Sequence, residues 1–315
     1  MKFTKNLLAG AIAASLIAVV PAHADIELGE GVSVTGFVDM SFVSTNVDGG
    51  DDTNEFTIDQ VETDFIYSGS DGVSAQVDIE YSTDENGDSN TFIEQAFITK
   101  KIGDNLTLKG GRFLSYSGWE TEEPTGLFQY SGTGYAPTFY GYYQQGVSAY
   151  YDTDVIDVMF SVVNDAFSPT ETDNENPAIE VGIAVTPAEG LTAKLFYIDD
   201  DQTSLVNFWT SYEVSALTFA VEYNIGESVV SDLGYDDADG YMLMANYAFD
   251  KYGITVRYHD WTEEVGGSTT VESSAITIAP SYSAGDNLLF VAELRLDETN
   301  DVDSTSVALE ALFTF

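Results

Sequence analysis

Beyond its first two dozen residues the sequence has one histidine, His259, in the run Arg257-Tyr258-His259-Asp260-Trp261. A carboxylate beside an imidazole suggests a hydrolytic triad, where it would orient the ring for general-base work. In an extended strand, however, neighbouring side chains point to opposite faces, so Asp260 is directed away from His259. No nucleophile elbow and no His-Glu-x-x-His pattern accompanies it, and the chain has no cysteine. Enzyme chemistry is therefore not expected.

Carboxylates are the other chemistry on offer. Asp48-Gly49-Gly50-Asp51-Asp52, Asp84-Glu85-Asn86-Gly87-Asp88 and Asp199-Asp200-Asp201 could each gather oxygen ligands for Ca²⁺. The EF-hand spacing fails, because after Asp84, Asn86 and Asp88 the sixth position is Ser89 and the twelfth is Gln95, where Gly and Glu are required. A solvated acidic surface is the better reading, and no cofactor is expected. Loop-bound Ca²⁺, or divalent cations bridging these loops to anionic lipopolysaccharide, is the weaker alternative.

The charge balance narrows the partners. The chain of 315 residues carries 53 Asp plus Glu against 10 Lys plus Arg, a formal net charge of -43. Nucleic acid is excluded, since phosphate recognition needs clustered bases. With 44% hydrophobic and 13% aromatic residues the chain is too apolar for a disordered acidic tail. At the start, Lys2 and Lys5 precede an apolar run from Leu7 to Val20 and then Pro21-Ala22-His23-Ala24. This reads as a signal peptide over residues 1–24, cleaved after Ala24, with residues 25–315 as the exported protein.

Period-two alternation dominates those residues. Val73, Ala75, Val77, Ile79 and Tyr81 alternate with Ser74, Gln76, Asp78 and Glu80, and Leu217 to Ile225 behaves alike. Sixteen strands are expected, at about 32–45, 56–67, 73–81, 92–101, 106–114, 144–151, 155–163, 178–186, 191–198, 205–213, 217–225, 239–249, 254–262, 271–282, 288–297 and 304–315. Most have the length a tilted strand needs to cross a bilayer. Short turns alternate with longer connections, and the eight longer ones hold 26 of the 53 acids and no Lys or Arg. An even strand number with short turns at one rim and long loops at the other describes an all-β, antiparallel, up-and-down transmembrane barrel, with short periplasmic turns and long extracellular loops. Most of the 19 Tyr, 19 Phe and 3 Trp are then interfacial girdle residues, with Tyr140, Tyr142 and Tyr143 the one cluster that could guide a solute.

In that barrel the polar face lines the lumen. Lys109, Lys194, Arg257 and Arg295 alternate with the apolar set, and Arg112 joins them if Gly110-Gly111 forms a bulge. Asp78, Glu80, Glu180, Glu222 and Glu293 also face inward. Sixteen strands enclose more space than wall side chains fill, so an unplugged lumen holds water. The longest connection, residues 115–143, is expected to constrict it. Glu120, Glu122 and Glu123 would then face the lumenal bases, setting up a transverse field and a weak preference for cations.

Two resemblances sharpen this expectation. Val307, Leu309, Ala311, Phe313 and Phe315 form one face of the last strand, and the chain ends on an aromatic residue, as outer-membrane barrels do. That resemblance implies that Phe313 and Phe315 are read by the barrel-assembly machinery. The stretch Gly110-Gly111-Arg112-Phe113-Leu114, Gly118-Trp119-Glu120, Gln129-Tyr130-Ser131, Tyr140-Gly141-Tyr142-Tyr143 and Gly146-Val147 resembles the OmpL-like family of β-barrel porins. It implies a Gram-negative outer-membrane barrel, surrounded by lipid and lipopolysaccharide, that passes small hydrophilic solutes and ions passively. Similarity to sixteen-stranded general porins further implies an inward-folded loop and a homotrimer. The alternative is a non-conducting structural or receptor barrel.

Overall fold

The computed structural model describes residues 26–83, 89–120, 122–168, 175–201, 203–228 and 234–315. The expected signal peptide and the Asp84 to Asp88 acid run lie outside the described residues. Sixteen antiparallel strands form the wall: β2 (Val32–Val47), β3 (Thr53–Ser68), β4 (Val73–Thr83), β5 (Ser89–Ile102), β6 (Leu106–Leu114), β7 (Tyr143–Tyr151), β8 (Ile156–Val163), β9 (Ala178–Ala188), β10 (Leu191–Asp200), β11 (Thr203–Val214), β12 (Leu217–Ser228), β13 (Asp237–Phe249), β14 (Tyr252–Val265), β15 (Ser268–Ser283), β16 (Leu288–Thr299) and β17 (Val302–Thr314). Each pairs with the next, and β17 returns to β2 with Ser304 opposite Val47 and Thr314 opposite Phe37. The ring is closed and leaves no free edge.

A further short strand, β1 (Ile26–Gly29), is absent from the sequence reading. It folds back on β2 through Glu30 and Gly31, whose φ of 54° and 79° suit a tight hairpin. It extends the β2 edge just past the point where the chain ends. There Phe315 and Gly36 exchange both backbone hydrogen bonds, at 2.9 and 3.0 Å. Thr35 Oγ1 also donates to the Phe315 carbonyl at 2.8 Å.

Alternation sorts the wall chemically. In β12, Val221, Tyr223 and Ile225 face outward at about 40% exposure, while Glu222 and Asn224 face inward and are fully buried. Tyr247, Phe249, Tyr252 and Tyr282 form an outward row with centroids 5.2 to 5.7 Å apart, as an interfacial girdle requires.

Three of the connections expected to be long are instead tight hairpins, and across 199–204 the ladder runs on until Asp200 opposes Thr203. Residues 263–270 turn at Gly266 and Gly267, with φ of 59° and 74°, and residues 298–303 turn at Asn300 and Asp301, with φ of 51° and 63°. The strands run on past the apolar belt, because pairing does not require an apolar face once the chain has left lipid.

Two bulges shape the inner wall. On β3, Asp39 of β2 opposes Gln60 while Met40 opposes Ile58, so Asp59 is the extra residue. On β5, Asp78 opposes Gln95 while Ile79 opposes Ile93, so Glu94 is the extra residue. A bulge turns two successive side chains toward one face, which here adds carboxylates to the lumen.

No register shift occurs at Gly110-Gly111. Gly111 instead has a φ of 136°, and a Cβ there would lie 2.2 Å from the Ala96 carbonyl oxygen. Arg112, three residues from the inward Lys109, therefore stands on the outer face. Its Nη1 donates to the Ile93 carbonyl at 2.9 Å. The expectation that Arg112 lines the lumen is corrected accordingly.

Candidate functional site: a loop across the lumen

Residues 115–142 leave β6, enter the barrel and return to β7. They contain a one-turn 3₁₀ segment, Pro124–Gly126, and the short helix α1, Ala136–Phe139. The apolar half of the loop explains its course. Trp119, Phe128, Tyr135, Phe139 and Tyr140 are buried with Trp209 of β11, Ala220 of β12, and Ala238, Met242 and Met244 of β13. Trp119 meets Trp209 edge-on at 5.1 Å, and Tyr135 meets Phe139 and Tyr140 edge-on at 5.4 and 6.0 Å. Burying such side chains stabilises by about 1.5–3 kcal/mol each. Gly118 permits the approach, since its φ is 93° and a Cβ would lie 2.6 Å from the Tyr140 ring.

A loop inside a barrel must also satisfy its backbone polar groups. Wall carboxylates accept from them in sequence. Glu180 takes the Tyr116 N–H at 3.0 Å, the Ser115 hydroxyl at 2.6 Å and Gln144 Nε2 at 2.8 Å. Glu222 takes the Trp119 N–H at 2.8 Å, Asn207 Nδ2 at 2.6 Å, the Tyr135 hydroxyl at 2.6 Å and the Tyr140 hydroxyl. Burial and the Glu222 charge hold both tyrosines well above their ordinary pKa, so they remain donors. Glu293 takes the Ser131 N–H at 3.0 Å.

On the far side the bases do the reverse. Arg257 Nη1 reaches Glu120 Oε1 at 2.5 Å and the Ser131 carbonyl at 2.6 Å, and Nη2 donates to the Gly132 carbonyl at 3.0 Å and Thr277 Oγ1 at 3.2 Å. This ion pair is buried, with the Arg257 side chain 0% exposed. Gln129 Nε2 and the Thr133 N–H complete the Glu120 carboxylate at 2.9 and 2.7 Å. Arg295 donates to the Gly132 carbonyl at 2.6 Å and pairs with Asp297 at 2.6 Å. Tyr130 reaches Ser41 of β2 at 3.1 Å, and Gln60 of β3 donates to Glu123 at 3.2 Å. The loop is thus tied to β2, β3, β9, β11, β12, β14 and β16.

The residues expected to line the lumen divide into three groups. Asp78, Glu80, Glu180, Glu222 and Glu293 all face inward, and three of them dock the loop. Lys109, Lys194, Arg257 and Arg295 also face inward but are engaged elsewhere than at a common gap. Lys109 Nζ sits 4.7, 4.8 and 5.1 Å from the Phe97, Tyr116 and Phe113 rings, and Lys194 Nζ lies 4.7 Å from the Trp209 ring.

Glu120, Glu122 and Glu123 do not face one common row of bases. Glu120 is neutralised by Arg257, whereas Glu122 and Glu123 look toward acids, and burial together with Glu94 raises both their pKa values. The expected transverse field is replaced by an acidic strip along β2 to β5 that includes Asp39, Glu62, Asp64, Asp78, Glu80 and Glu94. Asp59 and Glu94 join it through the two bulges, which strict alternation does not reveal. Of the tyrosine cluster, Tyr140 and Tyr143 hold carboxylates, the latter donating to Glu123 at 3.0 Å. Only Tyr142 is open to solvent, at 36% exposure.

Between the loop and the β2–β3 wall lies a cavity of about 350 Å³, lined by Asp39, Gln60, Glu120, Glu122, Tyr130 and Tyr140 among others, and by no Lys or Arg. His259 is fully buried, its ring 5.9 Å from that of Tyr135. Asp260 instead accepts from Tyr258 at 3.1 Å, on the opposite face from His259.

The sequence matches the model of the family described as "putative beta-barrel porin-2, OmpL-like" over residues 31–315. The chain belongs to this family. It is an outer-membrane barrel of the porin kind. No curated protein matches it in sequence. Among solved structures it is similar to Salmonella typhi OmpF, at 14% identity and a TM-score of 0.73, covering 92% of this chain and 100% of that one. It is likewise similar to an anion-selective porin from Comamonas acidovorans, at 14% identity and 0.68, covering 90% and 99%. The trimer form of OmpT from Vibrio cholerae gives 13% identity and 0.66, covering 91% and 100%. At these identities the likeness shows the fold.

Proposed function

We propose that this porin passes small hydrophilic solutes and ions through the gap between the lumenal loop and the β2–β3 wall, with a preference for cations. The observation that carries the reading is the lining of that gap, where Asp39 and Glu122 have no base opposite them. Carboxylates along a narrow water-filled path raise the local cation concentration and oppose anions. The four inward bases support the same conclusion, because none of them lines the gap: Lys109 and Lys194 lie over aromatic rings, and Arg257 and Arg295 are held by Glu120, Asp297 and the loop backbone. Membership of a porin family supports a channel over an enzyme.

A second reading rests on the reach of the loop, which touches at least eight strands and fills much of the interior with aromatic side chains. This favours a plugged structural or receptor barrel. Recording currents from the folded protein in a planar bilayer under a KCl gradient separates the two. Discrete steps with a cation-side reversal potential, shifted toward zero in Asp39→Asn/Glu122→Gln, support the pore. A folded barrel that never conducts overturns it.

By similarity to the trimer form of OmpT we also infer a homotrimer in the outer membrane, assembled with Phe313 and Phe315 as the recognised end of the chain and surrounded by lipid and lipopolysaccharide.

A further inference from the structure

We propose that Glu62, Glu94 and Glu123 bind one divalent cation, Ca²⁺ by its ligand chemistry, which ties the lumenal loop to the β3–β5 wall. One carboxylate oxygen from each residue lies within 4.8 Å of the other two. The three come from separate parts of the fold: Glu62 from β3, Glu94 from the β5 bulge and Glu123 from the loop. No ion pair among the described residues involves Glu62 or Glu94. The neighbouring donors are neutral, with Gln60 Nε2 at 3.2 Å from Glu123 and 3.4 Å from Glu62, and the Tyr143 hydroxyl at 3.0 Å from Glu123.

Two independent observations point to a ligand. Glu94 is 2% exposed, yet its Oε2 has no hydrogen-bond partner among the described residues. A buried carboxylate oxygen without a donor costs free energy that a cation would recover. The strand register also sets like charges directly opposite one another, Glu62 against Glu80 and Asp64 against Asp78, an arrangement that destabilises a sheet unless something compensates it. A second triple, Glu62, Asp64 and Asp78, shares Glu62 with the first, and Asp78 Oδ1 lacks a partner among the described residues as well.

All-oxygen, carboxylate-rich coordination selects hard cations. Ca²⁺ accepts flexible cages of several protein carboxylates, whereas Mg²⁺ keeps most of its waters and takes one or two carboxylates, so three converging carboxylates favour Ca²⁺. Water would complete its coordination. The ion would act as a latch, joining Glu123 of the loop to Glu62 and Glu94 of the wall. The inference needs the loop inside the barrel but not conduction, so its failure leaves the pore reading standing.

The test uses the full barrel in detergent, stripped with EDTA and titrated with CaCl₂ in a calorimeter. A saturable site is expected that weakens at least about tenfold in Glu94→Gln and in Glu123→Gln, as loss of one charged ligand implies. It should persist in Asp51→Asn, a change in the exposed acid run. Terbium bound in place of Ca²⁺ should luminesce on tyrosine excitation and lose most of that signal in Tyr143→Phe. Heat-shifted gel mobility confirms folding, and Glu123→Gln, which lies outside the strand ladder, keeps the test valid if Glu94→Gln does not fold. No saturable Ca²⁺ binding, or binding equal in wild type and both Gln variants, overturns the proposal.

Discussion

Arg257→Met should loosen the lumenal loop while leaving the barrel intact. In the native protein the guanidinium donates to Glu120, to the Ser131 and Gly132 carbonyls and to Thr277, and it is fully buried beside a carboxylate whose side chain is 6% exposed. Removing one partner of such a pair strands a buried charge and costs about 3–5 kcal/mol. The cost falls chiefly on docking of the loop, because the Arg257 guanidinium makes one bond to the wall, to Thr277, and its other bonds go to the loop. At 1.36 kcal/mol per tenfold, the docked-to-undocked ratio falls roughly 150- to 5,000-fold. Single-channel recording reads this as larger or frequently enlarged current steps, with heat-modifiable gel mobility unchanged. Glu120→Gln/Arg257→Met, which leaves no uncompensated charge, should recover most of the native step size. Steps in folded Arg257→Met that match wild type in size and noise would refute the clamp. Arg295→Met should do less, about 1–2 kcal/mol, because that side chain is 16% exposed and makes fewer bonds to the loop.

Other outcomes follow from the same geometry. Glu222→Leu removes the acceptor of the Trp119 N–H, Asn207 and two tyrosine hydroxyls, and should shift Trp fluorescence to longer wavelength as Trp119 and Trp209 gain solvent, whereas Glu222→Gln should shift it less. Deleting Phe315 removes three hydrogen bonds at the closing seam, and the fraction of heat-modifiable barrel recovered on refolding should fall. Cation preference should weaken between 0.1 and 1 M KCl, as the Debye length drops from about 10 to about 3 Å, and a reversal potential independent of salt would speak against surface carboxylates as its source.

Much of the wall was legible because the pleat has period two and the belt demands apolar residues on one face. Leu217 to Ile225 shows the rule without interruption, and all five acids chosen by that rule face inward. The Gly110-Gly111 pair misled, because Gly111 serves a close backbone approach and an uncommon φ instead of an extra residue. The bulges that add lumenal carboxylates lie where two polar residues interrupt the alternation, Asp59-Gln60 after Ile58 and Glu94-Gln95 after Ile93. That doublet was a usable signal, since one of each pair would otherwise face lipid.

The loop could be marked as long and aromatic from the sequence, but not which carboxylate meets which base. Arg257 and Glu120 are 137 residues apart, and only barrel closure brings them together. The strength of the acidic strip was likewise hidden, because Asp39, Glu62 and Asp64 join Asp78 and Glu94 only through the register of four strands.

The absence of cysteine allows a direct test of the central claim, that the passage runs between the loop and the β2–β3 wall. Glu122→Cys lines that gap, and Leu294→Cys, on the outer face, serves as control. A bulky, charged thiol reagent should reduce the single-channel current through Glu122→Cys and leave Leu294→Cys unaffected. Full labelling of the thiol introduced by Glu122→Cys, with no change in current, would place conduction elsewhere and contradict the account.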